Sequence, residues 1–152
     1  MRYFIKISHL KKLKELRADG YTSRCLINNE EIKNLPLTKT KLFINSYEFI
    51  TEIKHMTTLE VLDICGASEI DDDQIQYLNL RILYADYNNK ITKISHMTNL
   101  KELSIGSCSV TDDKLQNLNL RILIAFDNPN IRRISHMTNL TDLDARYDCG
   151  ID

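Results

Sequence analysis

Four histidines, His9, His55, His96 and His136, are the first residues whose type and spacing invite chemistry. A zinc site brings three or four ligands to about 2 Å from one ion. The histidines are instead 46, 41 and 40 residues apart, always after Ile-x and before Met or Leu. If each such interval adds two strands about 4.8 Å apart, successive histidines stand about 10 Å apart and share no ion. They are read as polar side chains on an outer return. The acidic runs Asp71-Asp-Asp73 and Asp112-Asp113 lack the alternating acids, central glycine and closing glutamate of a calcium loop. Both stand where a helical turn begins, so compensation of the helix dipole explains them. Cys25, Cys65, Cys108 and Cys149 form no Cys-x-x-Cys pair and stand beside no histidine. Free thiols are expected, with Cys65 pointing outward and open to modification. No Gly-x-Ser-x-Gly turn or phosphate loop occurs, and the chain has only 4 glycines. The pattern predicts a protein that is not an enzyme and holds no metal or cofactor.

Such residues need elements to place them, and the composition says what kind. The 152 residues and 17.7 kDa suit one domain, and 43% hydrophobic with 27% charged residues reads as globular. Twenty basic against 21 acidic residues exclude a strongly basic nucleic-acid binder and a polybasic membrane anchor. No signal peptide or membrane span is visible, which predicts an intracellular, cytoplasmic protein with reduced thiols. Leucine and isoleucine supply 39 residues, and they are spaced by a rule.

The rule is a repeat. Ile94-Ser-His-Met-Thr-Asn-Leu100 recurs as Ile134-Ser-His-Met-Thr-Asn-Leu140, and Leu78-Asn-Leu-Arg-Ile-Leu83 recurs as Leu118-Asn-Leu-Arg-Ile-Leu123. Both phrases align on Leu-x-x-Leu-x-(Ile/Ala), giving central leucines Leu16, Leu42, Leu62, Leu83, Leu103, Leu123 and Leu143. Their steps are 26, 20, 21, 20, 20 and 20 residues. The chain thereby resembles the intracellular leucine-rich repeat family over essentially its whole length, residues 1–152. That resemblance implies an α/β solenoid of about seven units, with a concave parallel sheet and convex short helical or 3₁₀ turns. It also implies a ladder of buried turn residues five positions after each central leucine, here Asn88, Cys108, Asn128 and Asp148. Tyr21, Tyr47 and Ala67 depart from it, so the ladder is expected to break in the first three units. The Ile/Asn/Lys-rich wording is similar to repeat proteins of giant DNA viruses or AT-rich protists. For a viral chain the implied partner is a host protein in the host cytoplasm.

Two kinds of return are expected to alternate. Ile91, Ile94, Met97, Leu100 and Leu103 step by three, which suits 3₁₀-like turns. Thr111-Asp-Asp-Lys-Leu115 opens a helical turn with Thr111 as its N-cap. The first unit is irregular near residues 19–41, and regular repeats run from residue 42. Four extra residues within Asp19-Gly-Tyr-Thr-Ser-Arg24 are read either as a loop that carries Gly20 and Tyr21 over the concave surface or as an imperfect N-terminal cap. The repeat begins and stops in mid-unit, which predicts an open C-terminal face able to support homo-oligomers.

Side chains flanking each central leucine point out of the sheet, because strand side chains alternate. The expected partner-binding surface therefore comprises Tyr21, Phe43, Asp63, Ile82, Tyr84, Asp86, Glu102, Ser104, Gly106, Ile122, Ile124, Phe126 and Asp144. Ser104 and Gly106 are expected to floor a shallow hollow, walled by Ile82 and Tyr84 on one side. Ile122, Ile124 and Phe126 wall the other. An exposed apolar patch with charges around it predicts recognition of a protein carrying an apolar anchor and basic groups. The other reading is a structural protein that associates with itself through solenoid ends or this patch. No nucleic acid or membrane is expected as a partner.

Overall fold

The computed structural model describes residues 3–18, 25–35, 40–45, 48–66 and 68–151. Its strands are β1 (Tyr3–Phe4), β2 (Glu15–Arg17), β3 (Cys25–Leu26), β4 (Lys41–Phe43) and β5 (Val61–Asp63). They continue with β6 (Ile82–Tyr84), β7 (Glu102–Ser104), β8 (Ile122–Ile124) and β9 (Asp142–Asp144). Seven of them form one parallel sheet in the order β2-β4-β5-β6-β7-β8-β9. Each return of the chain delivers the next strand beside the last, so the molecule is a solenoid. The seven central leucines lie in one register, from Leu16↔Leu42 through Leu123↔Leu143. Leu42, Leu62, Leu83 and Leu123 are fully buried, whereas Leu143 is 45% exposed. Burying each such side chain contributes about 1.5–3 kcal/mol, and only stacked units can do it. The irregular first unit adds a feature the spacing did not suggest. Beside the main sheet, β1 and β3 pair as a separate two-stranded parallel sheet, with Tyr3 opposite Cys25.

The two returns differ as their periods require. In one, backbone bonds step by three, as in Met97 N to Ile94 O (3.0 Å) and Leu100 N to Met97 O (3.0 Å). The same pair recurs at Ile53-Met56-Leu59 and Ile134-Met137-Leu140. In the other stand short helices α1 (Asn29–Lys33), α2 (Asp72–Ile75) and α3 (Asp112–Leu115), burying Ile32, Ile75 and Leu115. Asn28 and Asp71 cap α1 and α2 through their side chains. Thr111 makes no such bond; its hydroxyl turns to Asp113 instead.

The helices also fasten the neighbouring returns, a second use of their polar residues beyond the dipole. The first helical residue reaches forward. Asn29 Oδ1 accepts from Thr51 N and Glu52 N, Asp72 Oδ1 from Thr92 N and Lys93 N, and Asp112 Oδ1 from Arg132 N and Arg133 N. The third helical residue reaches back. Glu31 accepts from Ile7 N and Ser8 N, and Gln74 Oε1 from Ile53 N and Lys54 N. Lys114 occupies that third place in α3 and carries no acceptor.

On the other side of the last five units the chain turns through a left-handed residue: Gly66, Tyr87, Ser107, Asp127 and Tyr147. Next to these turns lie the buried polar slots. Asn88 Nδ2 donates to Ile64 O and Ile70 O (both 3.3 Å). Asn128 Nδ2 donates to Ile105 O at 3.0 Å and reaches Cys108 Sγ at 3.6 Å. Cys108 Sγ in turn donates to Ile105 O (3.1 Å). Buried main-chain carbonyls are thus satisfied from the adjoining unit. Ser68 is buried and its Oγ accepts from Ile70 N (3.2 Å), just as Asn88 Oδ1 accepts from Lys90 N. The slot of the third unit therefore holds a polar residue, one position beyond Ala67, because that unit is one residue longer. Tyr21, Tyr47 and Ala67 lie outside the described residues. Asp148 is exposed.

Candidate functional site

The outer sheet face is built from the residues flanking each buried leucine. Along β6 and β8, Leu83 and Leu123 are fully buried while Ile82, Tyr84, Ile122 and Ile124 keep part of their surface in solvent. Phe43, Asp63, Glu102 and Asp144 are likewise half-buried on their strands. The parallel register sets Asp63 beside Tyr84, Tyr84 beside Ser104, Ser104 beside Ile124 and Ile124 beside Asp144.

The centre of this face differs from the hollow expected there. Ser104 is buried at 1% exposure, and its hydroxyl donates to the Asp86 carboxylate at 2.7 Å. Gly106 N donates to Asp86 Oδ1 at 2.6 Å. The Phe126 ring lies over Gly106, where a Cβ would run into the ring carbons. Phe126 also meets Tyr87, with ring centroids 5.7 Å apart. Asp86 and Phe126 thus fill the gap that two small residues open. The absence of a side chain at Gly106 is what admits the ring.

An open depression of about 360 Å³ lies one row further on, lined by Ile122, Leu123, Ile124, Asp142, Leu143 and Asp144. Its lining is confined to β8 and β9 and includes both of their central leucines.

Charges are unevenly balanced across the face. Arg17 pairs with Glu15 at 2.7 Å and lies 3.9 Å over the Phe43 ring centroid. Arg121 reaches Glu102 (3.0 Å), and Arg146 holds Asp144 (2.7 Å). Hydrogen bonding and attraction from Arg146 hold the Asp144 carboxyl below its ordinary value. Among the described residues Asp63 and Asp86, in contrast, bond only neutral groups: Asp63 Oδ1 accepts from Cys65 N (3.1 Å), and Cys65 Sγ lies 3.7 Å from Asp86 Oδ2. Burial pushes the Cys65 thiol far up, and both carboxylates push it further. A thiol raised in this way is mostly un-ionised, which disfavours the modification expected of Cys65. Burial likewise raises Cys108 to about 11. Tyr84 is raised first by burial, then by Glu102 and Asp63.

The histidines stand on the outer returns. His96 Nε2 donates to Ile75 O (3.2 Å) and His136 Nε2 to Leu115 O (2.9 Å), so each ties one return to the helix before it. Among the described residues, no three His, Cys, Asp or Glu side chains are placed to hold one metal ion. Among them, too, no helix is long and apolar enough to cross a membrane. No family model matches the chain, and no curated protein matches it.

Proposed function

We propose that the protein is a non-enzymatic binding module of the leucine-rich repeat kind, whose outer sheet face takes a partner protein inside the cell. One observation carries the reading. Ile82, Tyr84, Ile122, Ile124 and Phe126 stay partly exposed on one rigid face, while the leucines between them are at most 1% exposed. Apolar side chains gathered in this way mark interaction surfaces. A sheet fixed by a stacked core loses little freedom on binding, which favours affinity. Asp63, Asp86, Glu102 and Asp144 around them favour a partner with basic groups. For a chain of viral origin that partner is a host protein. The test is capture of partners by the wild-type protein and by the Tyr84→Ala, Phe126→Ala double variant. Loss of a captured protein from a variant that still folds supports the reading; retention of every one contradicts it.

A second reading, self-association, is favoured by one feature. Leu143 is 45% exposed in a register where the other six leucines are at most 8% exposed, and β9 pairs on one side only. Sedimentation over a range of concentrations separates the two, because a strict monomer removes this reading.

A further inference from the structure

The outer face has two chemically different ends at a fixed separation. On the side of β5 and β6, Asp63 and Asp86 flank Cys65, and Tyr84 stands beside Asp63 in the register. Among the described residues no Lys or Arg pairs with either carboxylate, and no cation covers the Tyr84 ring. Burial raises both Cys65 and Tyr84, and nearby carboxylates, Asp63 and Asp86 at Cys65 and Glu102 and Asp63 at Tyr84, add to that rise. Elsewhere on the same face a cation does occupy the matching arrangement, where Arg17 lies 3.9 Å over Phe43 beside Glu15. On the side of β8 and β9 is the depression of about 360 Å³, whose mostly apolar lining comes from Ile122, Leu123, Ile124 and Leu143, with Asp142 and the Arg146-paired Asp144 along β9. Between the two, Asp86 on Ser104 and Phe126 on Gly106 close the surface over β7.

From the middle of β5 and β6 to the middle of β8 and β9 is three strand intervals, or about 14 Å. An extended chain rises about 3.3 Å per residue with alternate side chains on one side. Residues four apart therefore span about 13 Å and face the same way.

We propose that the face takes an extended segment of a partner protein, lying across the strands, with a basic and an apolar residue four positions apart. The Lys or Arg lies over Tyr84 between Asp63 and Asp86, and the apolar side chain enters the depression of β8 and β9. This rests on the reading of the face as a docking surface and adds the chemistry and spacing of what docks. Stacking of a cation on an aromatic ring beside carboxylates gives the basic position its selectivity. A segment with an acid there meets two uncompensated negative charges.

The test is selection of random nine-residue peptides against the full chain, with the bound peptides mapped by amide chemical shifts. Enriched peptides are expected to carry Lys or Arg and Leu, Ile or Phe four apart, and to move the amides of Asp63, Tyr84, Ile122 and Ile124. Replacing the basic residue by norleucine should weaken binding about three- to tenfold. Asp63→Asn, which keeps an acceptor for Cys65 N, should weaken the basic peptide alike and leave the norleucine peptide unchanged. Ile124→Asp should weaken both. If enriched peptides move these amides but show another chemistry or spacing, the docking face stands and this inference falls. If none is enriched, or all bind elsewhere, both fall. If a second copy of the chain moves the same amides, the occupant is the protein itself and the inference falls.

Discussion

Asp72 accepts three hydrogen bonds from the following unit: Thr92 N at 2.7 Å, Thr92 Oγ1 at 2.6 Å and Lys93 N at 2.9 Å. Burial alone would raise its carboxyl, but these bonds outweigh that and hold it below its ordinary value. A carboxyl depressed in the folded state stabilises fully above its unfolded pKa of about 3.9 and loses that contribution as pH falls through the folded value. Asp72→Ala is expected to cost about 1–2 kcal/mol in urea unfolding at neutral pH. The difference from wild type should shrink as the pH is lowered below about 4. Lys114 presents the opposite case, a donor where Glu31 and Gln74 supply acceptors to the preceding return. Lys114→Gln is expected to raise stability by about 0.5–1 kcal/mol, by offering Ile94 N and Ser95 N an acceptor. No change in the urea midpoint would show that these groups are already satisfied. Cys65 should alkylate at least tenfold more slowly in the native protein than in the urea-unfolded chain at about pH 8, as read by mass mapping, since its thiolate is suppressed. Equal rates would show that neither burial nor the two carboxylates suppress it.

Among the elements, the strands were the most legible. A 20-residue step between leucines fixes both which residues pair and which side chains face outward, and the register of Leu16 through Leu143 follows it. The alternation of returns was legible for the same reason, since three-residue steps and capped acidic turns have different hydrophobic periods. At Asn88 and Asn128, two of the expected slots, the side-chain amides bond carbonyls of the unit before. Ser68 was missed because a single inserted residue moves the slot, and the 21-residue step was its only trace. The clasps were missed as well, although Asn29, Asp72 and Asp112 share one place in three helices. Their partners are backbone N–H groups, which any residue carries, so no partner pattern appears in the sequence. The site's centre was misread for a different reason. Two small residues do open space, but Phe126 and Asp86 are free to turn into it, and only packing decides that. Asn128→Ala tests the slots: with Asn128 fully buried, loss of its amide should cost about 2–3 kcal/mol and leave Ile105 O without that donor. A cost near zero would mean water replaces the amide.

At the scale of the whole molecule, the core is a line of stacked rungs rather than a single centre. The stacked core holds the apolar residues of β6 and β8 and the carboxylate-bearing Asp63 in register on the outer face. The opposite surface is occupied by α1, α2 and α3, whose polar side chains are spent on fastening neighbouring returns. That division leaves the sheet face open for the recognition we propose and gives the helices the work of cohesion. The most direct measurement is an amide-resolved map of the protein bound to a captured partner. The expected result is that shifts gather on Asp63, Tyr84, Ile122, Ile124 and Phe126 and spare residues 29–33, 72–75 and 112–115. Shifts gathered on those helical residues, with the sheet face unmoved, would contradict it.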